Sequence, residues 1–452
     1  MLTAAVTVFG LKLVGADFSP LAGNASYRQF LSAYTMLTQQ YYKQLSTTDL
    51  FHGAIHGMLT AIGDPFSVYM NPAMTAQFRE MVTSQFQGIG AVLTLESGQV
   101  VVRSVLSGSP AQKVGLQVGD ALVQINGKST AAMSLEEAVS LIRGPSGTRV
   151  RIEVLRGDKH LSMTVARASV HESTVYAKML PERIGYILIS QFSDDTAQAF
   201  ERDLSILRHE NMRGLIIDVR DDPGGLLQSV GKIADSLLPK DKPIVQIMGR
   251  DNHPHVLRAT GSTVGVPVVC LIDGGSASAA EILAAALSES GHVALIGEVT
   301  YGKGTVQETE DFSDGSSIKL TVARWLTPDG VWIHKKGIRP TISVPTPSYF
   351  RLPPLPMSFR RPLSLDSNSV WVAVLQRMLL ALGYDPSRTD GYFNTGTQQA
   401  VKAFQRMHRM PVTGQVDRAT AYMINVAVLA KRQRQDPQLA AAVGYLESKL
   451  MK

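Results

Sequence analysis

Two serines and one lysine lie in a stretch of sequence that could carry out nucleophilic chemistry. Ser276 and Ser278 follow an apolar run, 266–272, and begin an Ala-rich segment predicted to form a helix. Lys303 lies between two glycines after a second short apolar run. A serine at the start of a helix lies close to free backbone N–H groups, which can stabilise a developing negative charge.

A serine needs a base to remove its proton before it becomes a strong nucleophile. No histidine stands out for this role, but burial can lower the pKa of a lysine enough for it to serve. The pattern therefore permits a Ser–Lys pair, and Gln307 could hold the lysine amine through its amide oxygen. The residues alone leave a structural interpretation open, in which the small residues pack a helix on a sheet and Lys303 lies in a surface turn.

The stretches SASAAEI, 276–282, and GEVTYGKGTVQ, 297–307, resemble the active-site block of the carboxy-terminal processing proteases, the S41 family of serine endopeptidases. The resemblance implies that Ser278 is the nucleophile, Lys303 is the general base and Gln307 orients the lysine. It also implies a layered α/β core of the crotonase and ClpP type.

The run DVRDDPGGL, 218–226, follows a strand-like apolar segment. A Pro-Gly-Gly sequence by itself usually forms a turn. Here it resembles the oxyanion-hole segment of the same family, which implies that the backbone N–H groups of Gly224 and Ala279 receive the oxyanion. Acyl transfer requires such preorganised donors.

Short strands and turns follow from 87 to 168, and GSPAQKVGLQVGDALVQING, 108–127, resembles a PDZ domain. PDZ domains bind the C-terminal carboxylate of a peptide on backbone N–H groups and add the peptide as a strand. The carboxylate loop would be Gly88, Ile89 and Gly90, although a glycine pair is also an ordinary turn at a strand entry. Arg143 matches an arginine that couples peptide binding to activity in some relatives. The alternative is a cation at a helix C-terminus before Gly-Pro.

The 452 residues carry a net charge of +6 that is unevenly distributed. Residues 351–452 hold 14 Lys and Arg against 6 Asp and Glu, and LQRMLLALGY and DGYFNTGTQQAVKAFQRMHRM resemble a peptidoglycan-binding domain. The basic excess agrees with binding to an anionic polymer. The single cysteine, Cys270, excludes an internal disulfide framework. No sequence motif indicates a metal, a cofactor or a nucleic-acid partner.

These patterns predict an α/β multidomain protein with a helical N-terminal segment, a β-rich PDZ domain, the layered peptidase core and a small all-α C-terminal domain. The expected segments are a membrane-anchor or export-signal remnant at 1–23, helices at 24–86, the PDZ domain at 87–168, the peptidase core at 169–344, a Pro-rich linker at 345–362, the peptidoglycan-binding domain at 363–430 and a C-terminal helix at 431–452. Asp49 is expected to cap the second helix of the N-terminal segment.

The predicted function is an extracytoplasmic endopeptidase, associated with the cell membrane or cell wall of a bacterium, that cleaves proteins near accessible C-terminal tails. Homo-oligomerisation is compatible with this function. Two rival interpretations are a non-catalytic adaptor built on a degenerate protease core and a crotonase-like acyl-CoA enzyme, which also uses paired backbone amides. The intact serine, lysine and glutamine argue against the first, and the PDZ and wall-binding patterns argue against the second.

Overall fold

The computed structural model describes residues 23–96, 99–131, 133–261, 263–356 and 361–451. The chain divides into two compact units, the first formed by Met1–Thr83, Thr174–Leu295 and Val299–Arg339, and the second by Ser84–Ser173, Ile296–Glu298 and Pro340–Lys452. The anchor remnant predicted at 1–23 lies outside the described residues except for Gly23. None of the helices in the described ranges combines the length and apolar character that a membrane span requires.

The N-terminal segment is helical, as predicted. Its elements are α1 (Ala25–Gln40), α2 (Thr47–Ile62), β1 (Val68–Met70) and α3 (Pro72–Thr83). Ser46, rather than the predicted Asp49, caps α2, because Ser46 Oγ accepts the N–H of Asp49 at 3.2 Å and places Asp49 in the first turn. Gly63, with φ 70°, ends the helix in the left-handed conformation.

The region predicted as a PDZ domain is an antiparallel β-structure with two short helices. Its elements are β2 (Gln85–Gly88), β3 (Ala91–Glu96), β4 (Gln99–Val105), α4 (Pro110–Lys113), β5 (Ala121–Ile125), β6 (Lys128–Ser129), α5 (Leu135–Ile142), β7 (Arg149–Arg156), β8 (Lys159–Ala166) and β9 (Ala168–His171). The main sheet has the order β3-β4-β5-β7-β8, so β3 lies at its edge. Asn126 and Gly127 form the predicted turn with φ 50° and 78°. The capping box of Ser134 and Glu137 is present at the start of α5.

The peptidase region contains two sheets with helices packed against them. Its strands are β10 (Val175–Leu180), β11 (Ile184–Ile189), β12 (Gly214–Asp218), β13 (Pro243–Met248), β14 (Pro254–Arg258), β15 (Val268–Ile272), β16 (Ala294–Gly297), β17 (Thr305–Asp311), β18 (Ser317–Leu326) and β19 (Ile342–Ser343), and its helices are α6 (Thr196–His209), α7 (Leu227–Asp235) and α8 (Ala279–Ala285), which continues as one π-helical turn over Ala286–Ser290. One sheet has the order β10-β11-β12-β15-β16-β19, and the other has β1-β18-β13-β14 with β17 paired to β18.

Buried parallel strands set the position of the site. β12 pairs in parallel with β11 and β15 and is buried along its whole length, as its continuous apolar sequence predicts. In such a sheet the carboxyl ends of neighbouring strands lie at the same edge, so the loops that follow β12 and β15 meet there. Cys270 is fully buried in β15 and belongs to the core.

The C-terminal region is helical, with α9 (Val370–Ala381), α10 (Thr395–Met407), α11 (Arg418–Arg434) and α12 (Pro437–Leu450). Two buried glutamines hold its loops: Gln376 Nε2 donates to the Tyr392 carbonyl, and Gln405 Nε2 donates to the Gln415 carbonyl. Part of the segment predicted as a linker packs onto this region, because Leu355 is buried and exchanges two hydrogen bonds with the Asn425 amide. The confirmed fold class is therefore α/β multidomain.

Candidate active site

Ser276 and Ser278 have different environments. Ser276 is completely buried, and its hydroxyl donates to the Val219 carbonyl at 2.7 Å and accepts the N–H of Asp273 at 3.0 Å. Ser278 is partly exposed and precedes α8 with φ 54° and ψ −110°, a conformation that non-glycine residues rarely adopt. Backbone strain of this kind clusters at functional sites. The hydroxyl of Ser276 therefore holds the loop through two hydrogen bonds, and Ser278 is the more accessible of the two serines.

The buried carboxylate of Glu281 joins the serine loop to the lysine loop. Its Oε2 accepts the N–H of Ser278 at 2.9 Å and the N–H of Lys303 at 2.8 Å. Its Oε1 accepts the N–H of Gly302 at 2.7 Å and the hydroxyl of Thr300 at 2.5 Å. Four donors thus compensate the cost of burying this charge. One side chain fixes the relative position of the two loops that carry the predicted nucleophile and base.

Lys303 is half-buried, and desolvation lowers the pKa of its ammonium group. The positive charge of Lys319 lowers this pKa further, while Asp64 and Glu281 oppose the shift. The Lys303 Nζ lies 4.9 Å from the centre of the Phe66 ring, a cation–π contact that favours the charged form. Among the described residues, no hydrogen bond joins Lys303 Nζ to Ser278 Oγ.

Gln307 lies at a β-bulge in β17, where the register with β18 shifts between Val306 and Gln307. Its Nε2 donates to the hydroxyls of Thr305 at 2.9 Å and Thr321 at 3.1 Å. With the amide nitrogen held by two threonines, the amide oxygen is the end of the side chain that can receive another donor.

The DDPGG loop, Asp221–Gly225, lies against the start of α8. Gly224 has φ 95°, and a Cβ at this position would lie 2.8 Å from both Ala279 N and Ser278 Cβ. Only glycine permits so close an approach. The Gly224 N–H donates to Asp222 Oδ1 at 2.8 Å. The structure therefore brings Gly224, Ala279 and Ser278 together, and it shows the Gly224 N–H paired within its own loop.

The GIG loop, Gly88–Gly90, belongs to the second unit and is buried. Gly90 has φ 78°, and a Cβ there would lie 2.2 Å from Ser109 Cβ. The loop leads directly into β3, which lies at the end of its sheet and pairs with β4 alone among the described strands. This position is compatible with addition of a peptide strand.

Arg143 follows α5 as its C-cap residue, and its backbone N–H donates to the Val139 carbonyl at 2.8 Å. Its exposed guanidinium carbon lies 5.9 Å from the centre of the Phe86 ring. Both residues belong to the second unit. These contacts agree with a helix C-terminal cation, and the coupling role remains a prediction.

The sequence did not point to three residues that lie near the site. Glu281 occupies the third position of α8, where a glutamate is ordinarily a capping residue. Phe66 belongs to the GDPFS segment, 63–67, for which the sequence predicted packing only. His334 Nδ1 accepts the N–H of Gly304 at 3.4 Å, and its ring stacks on Trp332. All three contact the lysine or serine loop through tertiary structure that no local motif indicates.

Four family models match the chain. They are peptidase family S41 at 183–344, a PDZ domain at 101–156, a peptidoglycan binding domain at 371–424 and the activating protease CtpB N-terminal domain at 19–74. The S41 match contains Ser278, Lys303, Gln307, Gly224 and Ala279. The PDZ match begins after the GIG loop.

Curated relatives match over most of the chain. The carboxy-terminal processing protease CtpB of Bacillus subtilis (strain 168) is 41% identical over 92% of this chain and 88% of its own length. CtpA of the same organism, which bears the same description, is 35% identical over 100% of this chain and 97% of its own length. A solved structure, the photosystem II D1 C-terminal processing protease, is 28% identical with a TM-score of 0.44, covering 71% of this chain and 87% of that structure.

Identity of this extent over nearly the whole chain establishes membership in a family. The predicted resemblance is confirmed, as is the prediction of an enzyme. The chain belongs to the S41 family of carboxy-terminal processing serine proteases.

Proposed function

We propose that Ser278, Lys303 and Gln307 form the catalytic centre of this protease. The observation that carries the proposal is the Glu281 carboxylate, which binds the backbone N–H groups of both Ser278 and Lys303 and so fixes the serine and lysine loops side by side. Desolvation of Lys303 supports its role as base, because it increases the neutral fraction at a given pH.

In the proposed reaction the neutral Lys303 amine takes the proton of Ser278 Oγ, and the oxygen attacks the carbonyl carbon of a peptide bond. The N–H groups of Gly224 and Ala279 stabilise the oxyanion. Lys303 then donates the proton to the leaving amine. A water molecule deprotonated by Lys303 attacks the acyl carbon, and the proton passes from Lys303 to Ser278 Oγ as the bond between the acyl carbon and Oγ breaks. The Gln307 amide oxygen accepts a hydrogen bond from the lysine amine and orients it.

The described arrangement is a resting one in this proposal. The Lys303 ammonium lies on the Phe66 ring, and the Gly224 N–H is paired with Asp222. Both groups must turn toward the substrate before chemistry begins. The Phe66 ring stabilises the protonated form of Lys303. Movement of the Lys303 side chain away from the ring therefore favours loss of its proton.

We further propose that the second unit recognises the substrate tail. The free edge of β3 would pair with the peptide, and the GIG loop would bind its terminal carboxylate. Arg143 is proposed to couple this binding to activity.

Wall attachment is proposed for the C-terminal region. A surface depression there is lined by α11, including Lys431 and Arg434, and by Tyr384 and His408, which follow α9 and α10. Cationic and aromatic groups together suit an anionic glycopeptide. The full chain should sediment with purified peptidoglycan, and Arg434→Glu should weaken this binding. Membrane association and homo-oligomerisation remain part of the proposal.

Substitution of Lys303 tests the proposed mechanism. Lys303→Ala should abolish cleavage of a loosely folded reporter with an apolar C-terminal tail, whereas Lys240→Ala, at an exposed site in the same unit, should cleave at the wild-type rate. Normal cleavage by Lys303→Ala would refute the proposed base.

A further inference from the structure

Asp222 is a fully buried carboxyl group in the DDPGG loop, and the proposed reaction does not use it. Its Oδ1 accepts the N–H of Gly224 at 2.8 Å. Its Oδ2 is buried and has no hydrogen-bond partner among the described residues. Its backbone carbonyl accepts the N–H of Ala277, so this residue is bonded to the segment that carries Ser278.

One oxygen without a donor is an unfavourable environment for an ionised carboxylate, which in a protein interior requires several hydrogen bonds or a cation. The contrast with Glu281 is direct, because that buried carboxylate receives four donors. Burial accordingly raises the pKa of Asp222 to about 8, and the Gly224 hydrogen bond opposes the shift only in part. Near neutral pH Asp222 is a neutral acid.

The charged groups around the loop do not change this conclusion. They lie on the segments bonded to the loop: Asp218, Arg220 and Asp221 on its own strand and loop, Asp194 and Asp195 on the segment after Phe192, whose N–H donates to the Gly224 carbonyl, Asp273 on the turn after β15, Glu281 on α8, and Lys303 beyond the Glu281 carboxylate. Arg220 is paired with Asp218 at 2.6 Å, and Asp273 Oδ1 accepts the N–H of Asp221. No charge on these segments contributes to the raised pKa of Asp222, which has burial as its cause.

We propose that Asp222 is a positioning residue of the oxyanion hole and that it must be neutral for catalysis. As a neutral acid, it is a weak acceptor that holds the Gly224 N–H in the resting loop and releases it to the oxyanion. As a carboxylate, it binds that N–H more strongly, since hydrogen bonds to ionised acceptors are about twice as strong as neutral ones. It also places a negative charge beside the developing oxyanion. This inference rests on the proposed role of Gly224.

The predicted consequence is a loss of activity at alkaline pH that is caused by ionisation of Asp222. The neutral fraction of a group with a pKa near 8 falls about tenfold between pH 7 and pH 9. Deprotonation of Lys303 has the opposite effect on activity as pH rises, because the neutral amine is the form that acts as the base. Dividing kcat/KM of Asp222→Asn by kcat/KM of the wild type at each pH therefore separates the two effects, because both proteins contain Lys303.

The test is the pH profile of kcat/KM from pH 6 to pH 10 for wild type, Asp222→Asn and Asp221→Asn. The asparagine at 222 keeps the acceptor for Gly224 but cannot ionise. The ratio of Asp222→Asn to wild type should rise about tenfold between pH 7 and pH 9. Asp221 is the neighbouring, exposed aspartate, and the ratio of kcat/KM of its variant to that of the wild type should not change with pH. A constant ratio, or an equal change in Asp221→Asn, would overturn the proposal.

Ser278→Ala, measured in parallel, separates this inference from the proposed function. An active Ser278→Ala would reject the catalytic centre itself. An inactive Ser278→Ala together with an unchanged alkaline limb in Asp222→Asn would reject only the role of Asp222.

Two further measurements test the ionisation of Asp222 without measuring catalysis, and the second needs no variant. Native Asp222 retains a proton that the unfolded chain releases near pH 4, so its contribution to stability is lost as pH rises toward 8. Asp222→Asn should therefore raise Tm more at pH 8 than at pH 5. In the wild type, a peptide aldehyde whose hemiacetal oxygen occupies the oxyanion position should bind about tenfold more weakly at pH 9 than at pH 7, and equal affinity would contradict the proposal.

Discussion

The DDPGG loop and the GIG loop are both proposed to receive a negatively charged oxygen on backbone N–H groups, but they are built differently. The DDPGG loop contains the buried Asp222 and is bonded to the segment that carries the buried polar side chains of Ser276 and Glu281. The GIG loop packs beside the edge strand β3 and relies on main-chain geometry. A reaction centre needs fixed donors for a short-lived charge, whereas a peptide groove needs only an available strand edge.

This comparison predicts different kinetic consequences. Changes that displace the N–H donors of the DDPGG loop should lower kcat, because these donors act in the transition state. Changes at the GIG loop should raise KM for substrates with a free C-terminal tail, because they disturb docking.

The largest effect among the positioning residues is expected for Glu281→Gln. The amide presents an N–H₂ group to backbone donors that the carboxylate oxygen now accepts, so the loops of Ser278 and Lys303 should separate. A displacement of about 1 Å at a reaction centre costs roughly a hundredfold in rate, and we expect a loss of this size in kcat. Steady-state cleavage of the tailed reporter measures it.

Glu201→Gln, on the exposed surface of α6, is the matched control and should retain wild-type kcat. If Glu281→Gln also kept wild-type kcat, the carboxylate would not fix the two loops.

An intermediate effect is expected for Gly90→Ala in the second unit. The added Cβ would meet Ser109 Cβ at 2.2 Å, so the GIG loop must shift. We expect KM for the tailed reporter to rise about tenfold, roughly the loss of one hydrogen bond to a charged group, with kcat unchanged. Gly127→Ala has the same φ of 78° but open space around the Cβ, and it controls for backbone strain alone. An equal change in KM for both variants would show that the loop has no specific role.

The smallest effect is expected for Lys319→Gln. The positive charge of Lys319 lowers the pKa of Lys303, so its removal should raise that pKa. The acidic limb of the kcat/KM profile should then move to higher pH. Lys240→Gln, at an exposed lysine, should leave the limb unchanged. A limb that did not move in Lys319→Gln would argue against Lys303 as the titrating base.

Local sequence signals were sufficient for most elements of the fold. The Asn126–Gly127 turn, the capping box of Ser134 and the buried strand β12 all follow from short patterns whose physical cause is local. The prediction that Asp49 caps α2 was wrong, because Ser46 lies three residues earlier and its Oγ accepts the Asp49 N–H. Two good cap residues within one turn cannot be ranked without the backbone geometry.

The site was less accessible to such reasoning. Residue type alone could not separate Ser276 from Ser278; the resemblance favoured Ser278, and the difference in burial agrees with that choice. Phe66 is remote in sequence from Lys303, and Glu281 spans two loops, so their contacts exist only after the sheets have assembled. The unpaired Oδ2 of Asp222 likewise depends on which donors the folded loop leaves out.

The most direct test of the central claim compares Ser278→Ala with Ser276→Ala in cleavage of the tailed reporter. Ser278→Ala should lose at least about a thousandfold in kcat, because the nucleophile is gone. Ser276→Ala loses a hydroxyl that fastens the loop, so it should be less stable but still cleave. Loss in Ser278→Ala alone would support Ser278 as the nucleophile, whereas undiminished cleavage by that variant would contradict the account.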